Sequence, residues 1–188
     1  MTAKSDSPTL ERIFTAIMMP DGLSRQLLEL PQKGVQGRWN NWRDLHITLR
    51  FIGDIDPARI PEMKDDLKRV KRPPVDIEID GLDIFYTPRQ PVLFADVKSK
   101  RKLETLVADI TDILQPYDIY IPERPYRPHV TLARLKKTPK KTAETYIRQH
   151  SGKVKGHFKA DSFHLIHSGT PDAHGAVYTS LAEYPLVD

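Results

Sequence analysis

Apolar and polar positions alternate along the chain in two periods, and the order of those periods occurs twice. Residues 12–19 form a short apolar run of strand length, ended by Pro20 and Asp21. Leu23, Leu27, Leu28 and Leu30 then predict a short helix. Residues 45–52 alternate cleanly, as a half-buried strand does. Asp56-Pro57 supplies a helix cap and a first-turn proline, and Ile60, Met63, Leu67 and Val70 carry helical spacing until Pro73-Pro74 stops it. An alternating strand over residues 75–79, extending past Gly81 to Tyr86, closes the first unit. The second unit opens with a strand at residues 92–97. Leu103, Leu106, Val107, Ile110, Ile113 and Leu114 predict a helix ending near Pro116. A Pro-rich segment, residues 117–128, leads into a strand at residues 129–135. Thr138-Pro139 then reads as cap and first-turn proline of a helix running to about His150. Two final strands are expected near residues 157–167 and 176–182. Strand, helix, strand, Pro-started helix, strand therefore appears twice. The expectation is an α+β protein of two pseudo-symmetric lobes, each an antiparallel sheet with helices on its outer face and a cleft between them. The polar residues 1–10 read as a disordered tail and residues 11–188 as one bilobal domain.

Composition narrows the classes. Of 188 residues, 39% are hydrophobic and 29% charged, apolar enough for a real core and for exclusion of a disordered chain. No apolar run approaches the ~18 residues of a membrane span, and the start of the chain lacks an apolar signal stretch, so no membrane association is expected. Cysteine is absent, which excludes disulfides, thiolate metal sites and cysteine nucleophiles, and makes a reducing cytoplasm the natural setting. A net charge of +4 permits an anionic partner without demanding one. Its distribution says more: between Arg134 and Lys159 stand nine basic residues and one acid, Glu144. That stretch reads either as a solvated helix face or as a surface that attracts a phosphate backbone.

The third element of each unit carries one tetrapeptide pattern, His46-Ile47-Thr48-Leu49 and His129-Val130-Thr131-Leu132. A lone His-x-Thr on a strand is an ordinary half-buried surface pair. Two of them in equivalent places of a repeat, each with a β-branched residue between and a leucine after, are a specific signal. On a strand, residues i and i+2 share a face, so each motif presents one imidazole and one hydroxyl to the same small volume. Two imidazoles with pKa near ~6.5 can act together as general base and general acid. Two threonine hydroxyls can hold the non-bridging oxygens of a phosphate. The layout suits opening or closing a phosphodiester with no metal and no cofactor. Strand parity also puts Arg50 on the face of His46 and Thr48, while Arg134, three residues after Thr131, points away unless the strand ends or bulges. His164-x-x-His167 places its rings on opposite faces and reads as surface. Trp39, Trp42, Phe14 and Tyr126 are near the motifs and are candidates for stacking a base, or for packing.

These residues resemble the two-histidine phosphoesterase superfamily, and within it the RNA 2′,3′-cyclic phosphodiesterases also called 2′-5′ RNA ligases. The resemblance rests on both His-x-Thr motifs, the lead-in Arg124-Pro125-Tyr126-Arg127-Pro128 and the opening Arg12-Ile13-Phe14-Thr15-Ala16-Ile17 with Pro20. Trp42, Phe163, Leu165, Ser168 and Tyr178 extend it. It implies hydrolysis of RNA 2′,3′-cyclic phosphate ends to 2′-phosphomonoesters by a monomer. It implies that His129 takes the proton of the attacking water, that His46 protonates the departing 3′ oxygen, and that Thr48, Thr131 and Arg134 bind phosphate. The alternatives are a 2′-5′ linkage as substrate, hydrolysed or ligated, a small cyclic nucleotide, and a non-catalytic RNA-binding module.

Overall fold

The structure, a computed structural model, describes residues 9–172 and 175–187, except the side chains of 171–172 and 175–176. The expected disordered tail therefore lies almost wholly outside the described residues. Nine strands are described: β1 (Glu11–Met18), β2 (Gly37–Trp39), β3 (His46–Ile55), β4 (Val75–Phe85), β5 (Val92–Val97), β6 (His129–Leu135), β7 (Lys155–Ala160), β8 (Ser162–Asp172) and β9 (Gly175–Pro185). Helices α1 (Asp21–Leu27), α2 (Ile60–Leu67), α3 (Lys100–Leu114) and α4 (Lys140–His150) complete the fold.

Two antiparallel halves make up the α+β architecture, as expected. They are joined edge to edge, in the order β7-β4-β5-β6-β3-β1-β8-β9, with β2 added beside β6. The seam is the pairing of Ile47 in β3 with Val130 in β6, the middle residues of the two His-x-Thr motifs. Both histidine strands are thus central, and the cleft is the concave face of one curled sheet where the halves meet. The helices cross between halves. Helix α3, from the second repeat, packs on β3, and α2 packs on α3. Helix α1, from the first repeat, reaches β7, with Leu23 pressed against Gly156, and α4 packs on β4. Each repeat therefore covers part of the other's sheet, which ties the halves into one core running from Ile13 through Leu186.

Three sequence expectations need correction. The last apolar stretch is three strands, not two: the chain breaks at Asp161, and β7 joins the far edge of the sheet while β8 returns to β1. The short β2 carries no periodic signal and forms because its backbone docks on β6. Pro57 starts its helix as expected, with the Asp56 carboxylate accepting from the Ala58 amide at 2.9 Å. Thr138 does not cap α4; its hydroxyl takes the Gln36 amide at 3.0 Å and so fastens the loop before β2.

Candidate active site

Both motif strands carry the same irregularity. In β3 the register against β1 slips between Thr48 and Arg50, opposite Ala16 and Thr15. In β6 the register against β5 slips between Thr131 and Ala133, opposite Phe94 and Leu93. Each slip is a bulge at the motif leucine, Leu49 or Leu132, and a bulge reverses the parity of the residues after it. Arg134 is thereby returned to the face of Thr131 and lines the cleft. Arg50 is turned off that face. Its Nε donates to the Thr111 hydroxyl of α3 at 2.9 Å, which corrects the parity expectation. Phe51 takes the place in β3 that Arg134 holds in β6. The buried Thr15 hydroxyl accepts the displaced Arg50 amide at 3.1 Å, so the bulge leaves no orphan donor there.

The bulges also change how the threonine carbonyls are satisfied. Tyr126, from the lead-in to β6, donates its hydroxyl to the Thr48 carbonyl of β3 at 2.9 Å. Asn40, from the lead-in to β3, donates its amide to the Thr131 carbonyl of β6 at 2.9 Å. Each repeat thus clamps the other's motif. Tyr126 has a structural partner, and burial raises its hydroxyl pKa above the usual range.

The two imidazoles are held alike. His46 Nδ1 lies 2.7 Å from the Asp44 carbonyl, and His129 Nδ1 lies 2.8 Å from the Arg127 carbonyl. A carbonyl only accepts, so Nδ1 carries the hydrogen and Nε2 is left to exchange a proton. Rings lock the orientation. Phe14 and Tyr178 each stand 5.1 Å from His46, while Phe85 and Phe94 stand 4.9 and 5.2 Å from His129. These apolar walls disfavour the charged imidazolium. Burial pushes His46 down to about 4, with the Asp44 carbonyl opposing and the charge of His129 adding to the depression. His129 is lowered for the same first reason, with the Arg127 carbonyl opposing, the Arg127 guanidinium adding to the depression and Asp96 opposing it last.

His46, His129, Thr48, Thr131 and Arg134 line one cavity of about 350 Å³, so the structure gathers all five residues singled out from the sequence. The Thr48 and Thr131 hydroxyls have no protein partner among the described residues. Arg12 and Arg38 join Arg134 on the wall, and among the described residues no carboxylate lines it. Arg12 is paired with Asp54 at 3.0 Å. The cavity is electropositive and suited to an anion. Phe14 lines it, as the sequence allowed. Phe51, Phe85 and Arg38 were missed there, because each faces the cleft through bulge or pairing geometry that the sequence does not display. Trp39 packs against the core, and Trp42 lies under the guanidinium groups of Arg25 and Arg43 at 3.6 and 4.2 Å. His164 is held by the Ser180 hydroxyl at 3.0 Å, away from the cavity. Among the described residues no group of three or more His, Asp or Glu side chains is placed to hold a metal, and no helix is long and apolar enough to cross a membrane.

Comparison with known proteins gives this geometry a family. A family model described as the 2′-5′ RNA ligase superfamily matches residues 20–172. The RNA 2′,3′-cyclic phosphodiesterase of Aquifex aeolicus is 30% identical over 158 residues, 81% of this chain and 83% of that one. The Bacillus subtilis protein of the same name is 26% identical over 82% of this chain and 87% of its own length. The crystal structure of E. coli LigT complexed with NADP+ superposes with a TM-score of 0.72 over 97% of this chain and 100% of that chain, at 20% identity, a likeness of fold. Because the family match spans most of the chain, including both His-x-Thr strands, this protein belongs to the 2′-5′ RNA ligase superfamily, the two-histidine phosphoesterases.

Proposed function

We propose that the protein hydrolyses RNA 2′,3′-cyclic phosphate ends to 2′-phosphomonoesters. The observation that carries this reading is one electropositive cavity lined by two imidazoles with Nδ1 fixed and by two threonine hydroxyls that have no protein partner among the described residues. The names of the Aquifex and Bacillus relatives support the same substrate. Thr48 and Thr131 donate to the non-bridging oxygens of the cyclic phosphate, and Arg134 adds charge. Water attacks phosphorus, and its proton passes to Nε2 of one histidine. The P–O3′ bond breaks, and the 3′ oxygen takes a proton from Nε2 of the other. The cavity supplies every proton transfer from its own side chains, without a metal or cofactor. The protein acts as a cytoplasmic monomer in this reading.

By the family resemblance, His129 is the base and His46 the acid. One observation favours the reverse. In the free protein burial holds His46 down to about 4, the deeper of the two depressions, although the Arg127 guanidinium also opposes a proton on His129. The first proton therefore goes to His129. The bound phosphate raises both pKa values, since an anion stabilises an imidazolium. For His46 to be the acid, the phosphate must invert the free-state order.

Incubation of an RNA ending in 2′,3′-cyclic phosphate, in excess EDTA and ¹⁸O-water, tests the reaction. The expected product is a 2′-phosphate with one ¹⁸O and a free 3′ hydroxyl. A 3′-phosphate, a new 2′-5′ linkage as the main product, or activity lost to EDTA and restored by a divalent ion would contradict it.

A further inference from the structure

The pseudo-twofold relating β3 and β6 breaks down just beyond the seam, and a second cavity opens there. Past Ile47 and Val130 each motif strand runs beside the lead-in of the other. On the β6 side that lead-in is β2, paired from Gly37 opposite Leu135 to Trp39 opposite Ala133. It lies so close that a Cβ on Gly37 would stand 2.5 Å from the Arg134 carbonyl oxygen. On the β3 side the lead-in is the Pro-rich segment, whose Pro122, Pro125 and Pro128 have no amide to donate to a ladder. Among the described residues no strand pairs with β3 there, and a cavity of about 470 Å³ remains between β3 and that segment.

This second cavity shares Thr48, Phe51 and His129 with the catalytic one, so the two adjoin. Three arginines, Arg50, Arg124 and Arg127, line it, and among the described residues no carboxylate does. Arg127 is already held by Asp83 at 2.6 Å. Arg50 is different. It is half-buried, its Nε is taken by a neutral hydroxyl, and it has no ion pair among the described residues. A guanidinium partly removed from water without a counter-ion is a place for an anion to bind. Arg124 is exposed and likewise lacks an ion pair among the described residues. Two large rings stand out into solvent at the same groove, Phe51 at 64% and Tyr120 at 75% exposure. Aromatic faces alternating with unpaired cations form a platform for single-stranded nucleic acid.

We propose that this groove holds the nucleotides immediately 5′ of the cyclic phosphate, with bases against Phe51 and Tyr120 and backbone phosphates against Arg50 and Arg124. The inference rests on the reading of the catalytic cavity as a site for RNA ends. The competing path leaves the cavity past Arg134, toward Lys136, Lys137, Lys140 and Lys141. There Lys140 is already paired with Glu144 at 3.8 Å.

Two variants separate the paths: Tyr120→Ala with Arg124→Ala, and the four lysines changed together to Ala. Arg124→Glu alone serves as a second groove variant with one exposed change. Each is tested for binding of a 5′-fluorescein RNA hexamer ending in a 2′-phosphate, by anisotropy. Each is also tested for turnover of the cyclic-phosphate hexamer against 2′,3′-cyclic AMP. Both groove variants should weaken hexamer binding about tenfold or more. They should lower the hexamer-to-mononucleotide ratio of kcat/KM by a similar factor. The lysine variant should move that ratio less than about threefold. Hexamer binding at the wild-type level in the groove variants, or a loss confined to the lysine variant, would overturn the proposal. Groove-dependent hexamer binding in a protein that hydrolyses neither substrate would leave the groove standing and overturn the proposed reaction instead.

Discussion

The strands β3 and β6 carry the same four-residue motif, bulge at the same leucine and bond each histidine to the carbonyl two residues before it. After the bulge they differ. Where β6 presents Arg134, β3 presents Phe51, and where β6 is flanked by β2, β3 borders an open groove. The environments of the histidines differ as well, since Tyr178 stands beside one, while the charges of Arg127 and Asp96 act in opposite senses on the other. What repeats is the pair of imidazoles and hydroxyls proposed to move protons and hold phosphate. What differs is the surface that meets a substrate whose two sides are unlike. Broken symmetry outside the repeated motifs lets a duplicated scaffold meet the two unlike sides of a phosphodiester differently.

The largest effect that breaks the comparison concerns which histidine is the acid. Loss of a general acid or base costs about 100- to 10,000-fold. A substrate with sulfur replacing the bridging 3′ oxygen leaves without a proton. The acid variant, His46→Ala or His129→Ala, should recover most of its deficit on that substrate, and the base variant should not. The resemblance assigns the recovery to His46→Ala, and the free-state proton order assigns it to His129→Ala. Equal recovery in both would contradict the division of labour.

Next in size are the proposed phosphate ligands. Thr48→Val and Thr131→Val each remove a hydrogen bond to a charged group, about 1.5–3 kcal/mol, or roughly ten- to a hundredfold in kcat/KM. Arg134→Ala should fall in the same range on 2′,3′-cyclic AMP, while Phe51→Ala, its counterpart in β3, should leave that substrate nearly unaffected. Similar losses at Arg134 and Phe51 would erase the asymmetry.

Smaller effects are expected where each repeat clamps the other. Tyr126→Phe frees the Thr48 carbonyl, and Asn40→Ala frees that of Thr131. A neutral hydrogen bond contributes about 0.5–1.5 kcal/mol, so each should lower kcat by roughly two- to tenfold, together with a drop in thermal midpoint. Unchanged stability in both variants would mean that the carbonyls are satisfied without them.

The chain reveals the repeat and the paired motifs because both reside in local patterns: alternation at residues 45–52 and 129–135, and spacing i, i+2 within each strand. It does not reveal the bulges, since Leu49 and Leu132 read as ordinary inward residues until their partners on β1 and β5 are known. For that reason strand parity alone puts Arg50 on the wrong face and turns Arg134 away from the cleft. The sharing of helices between halves, the path of β7 to the far edge and the groove beside the Pro-rich segment are likewise set by contacts distant in sequence.

A separate effect, read at acid pH, is on stability. Folding lowers the His46 pKa from 6.5 to about 4. The unfolded chain therefore binds more protons across that window. Stability rises with pH between those values and is lost on acidification. The loss amounts to about 3 kcal/mol, and burial of His129 acts in the same direction. Urea midpoints measured at pH 4.5 and 7.5 should differ less for His46→Gln than for the natural chain. An equal or larger difference would place the acid sensitivity elsewhere.

The central claim is that the two motifs act as one acid–base device. A double-mutant cycle on hydrolysis of 2′,3′-cyclic AMP tests it most directly, with kcat for His46→Ala, His129→Ala and the pair. The account predicts about a 100-fold or greater loss for each single variant. It also predicts a double variant little worse than the weaker single one, because groups that act as a unit are not additive. Losses that multiply, or a single variant with near-normal turnover, would contradict it.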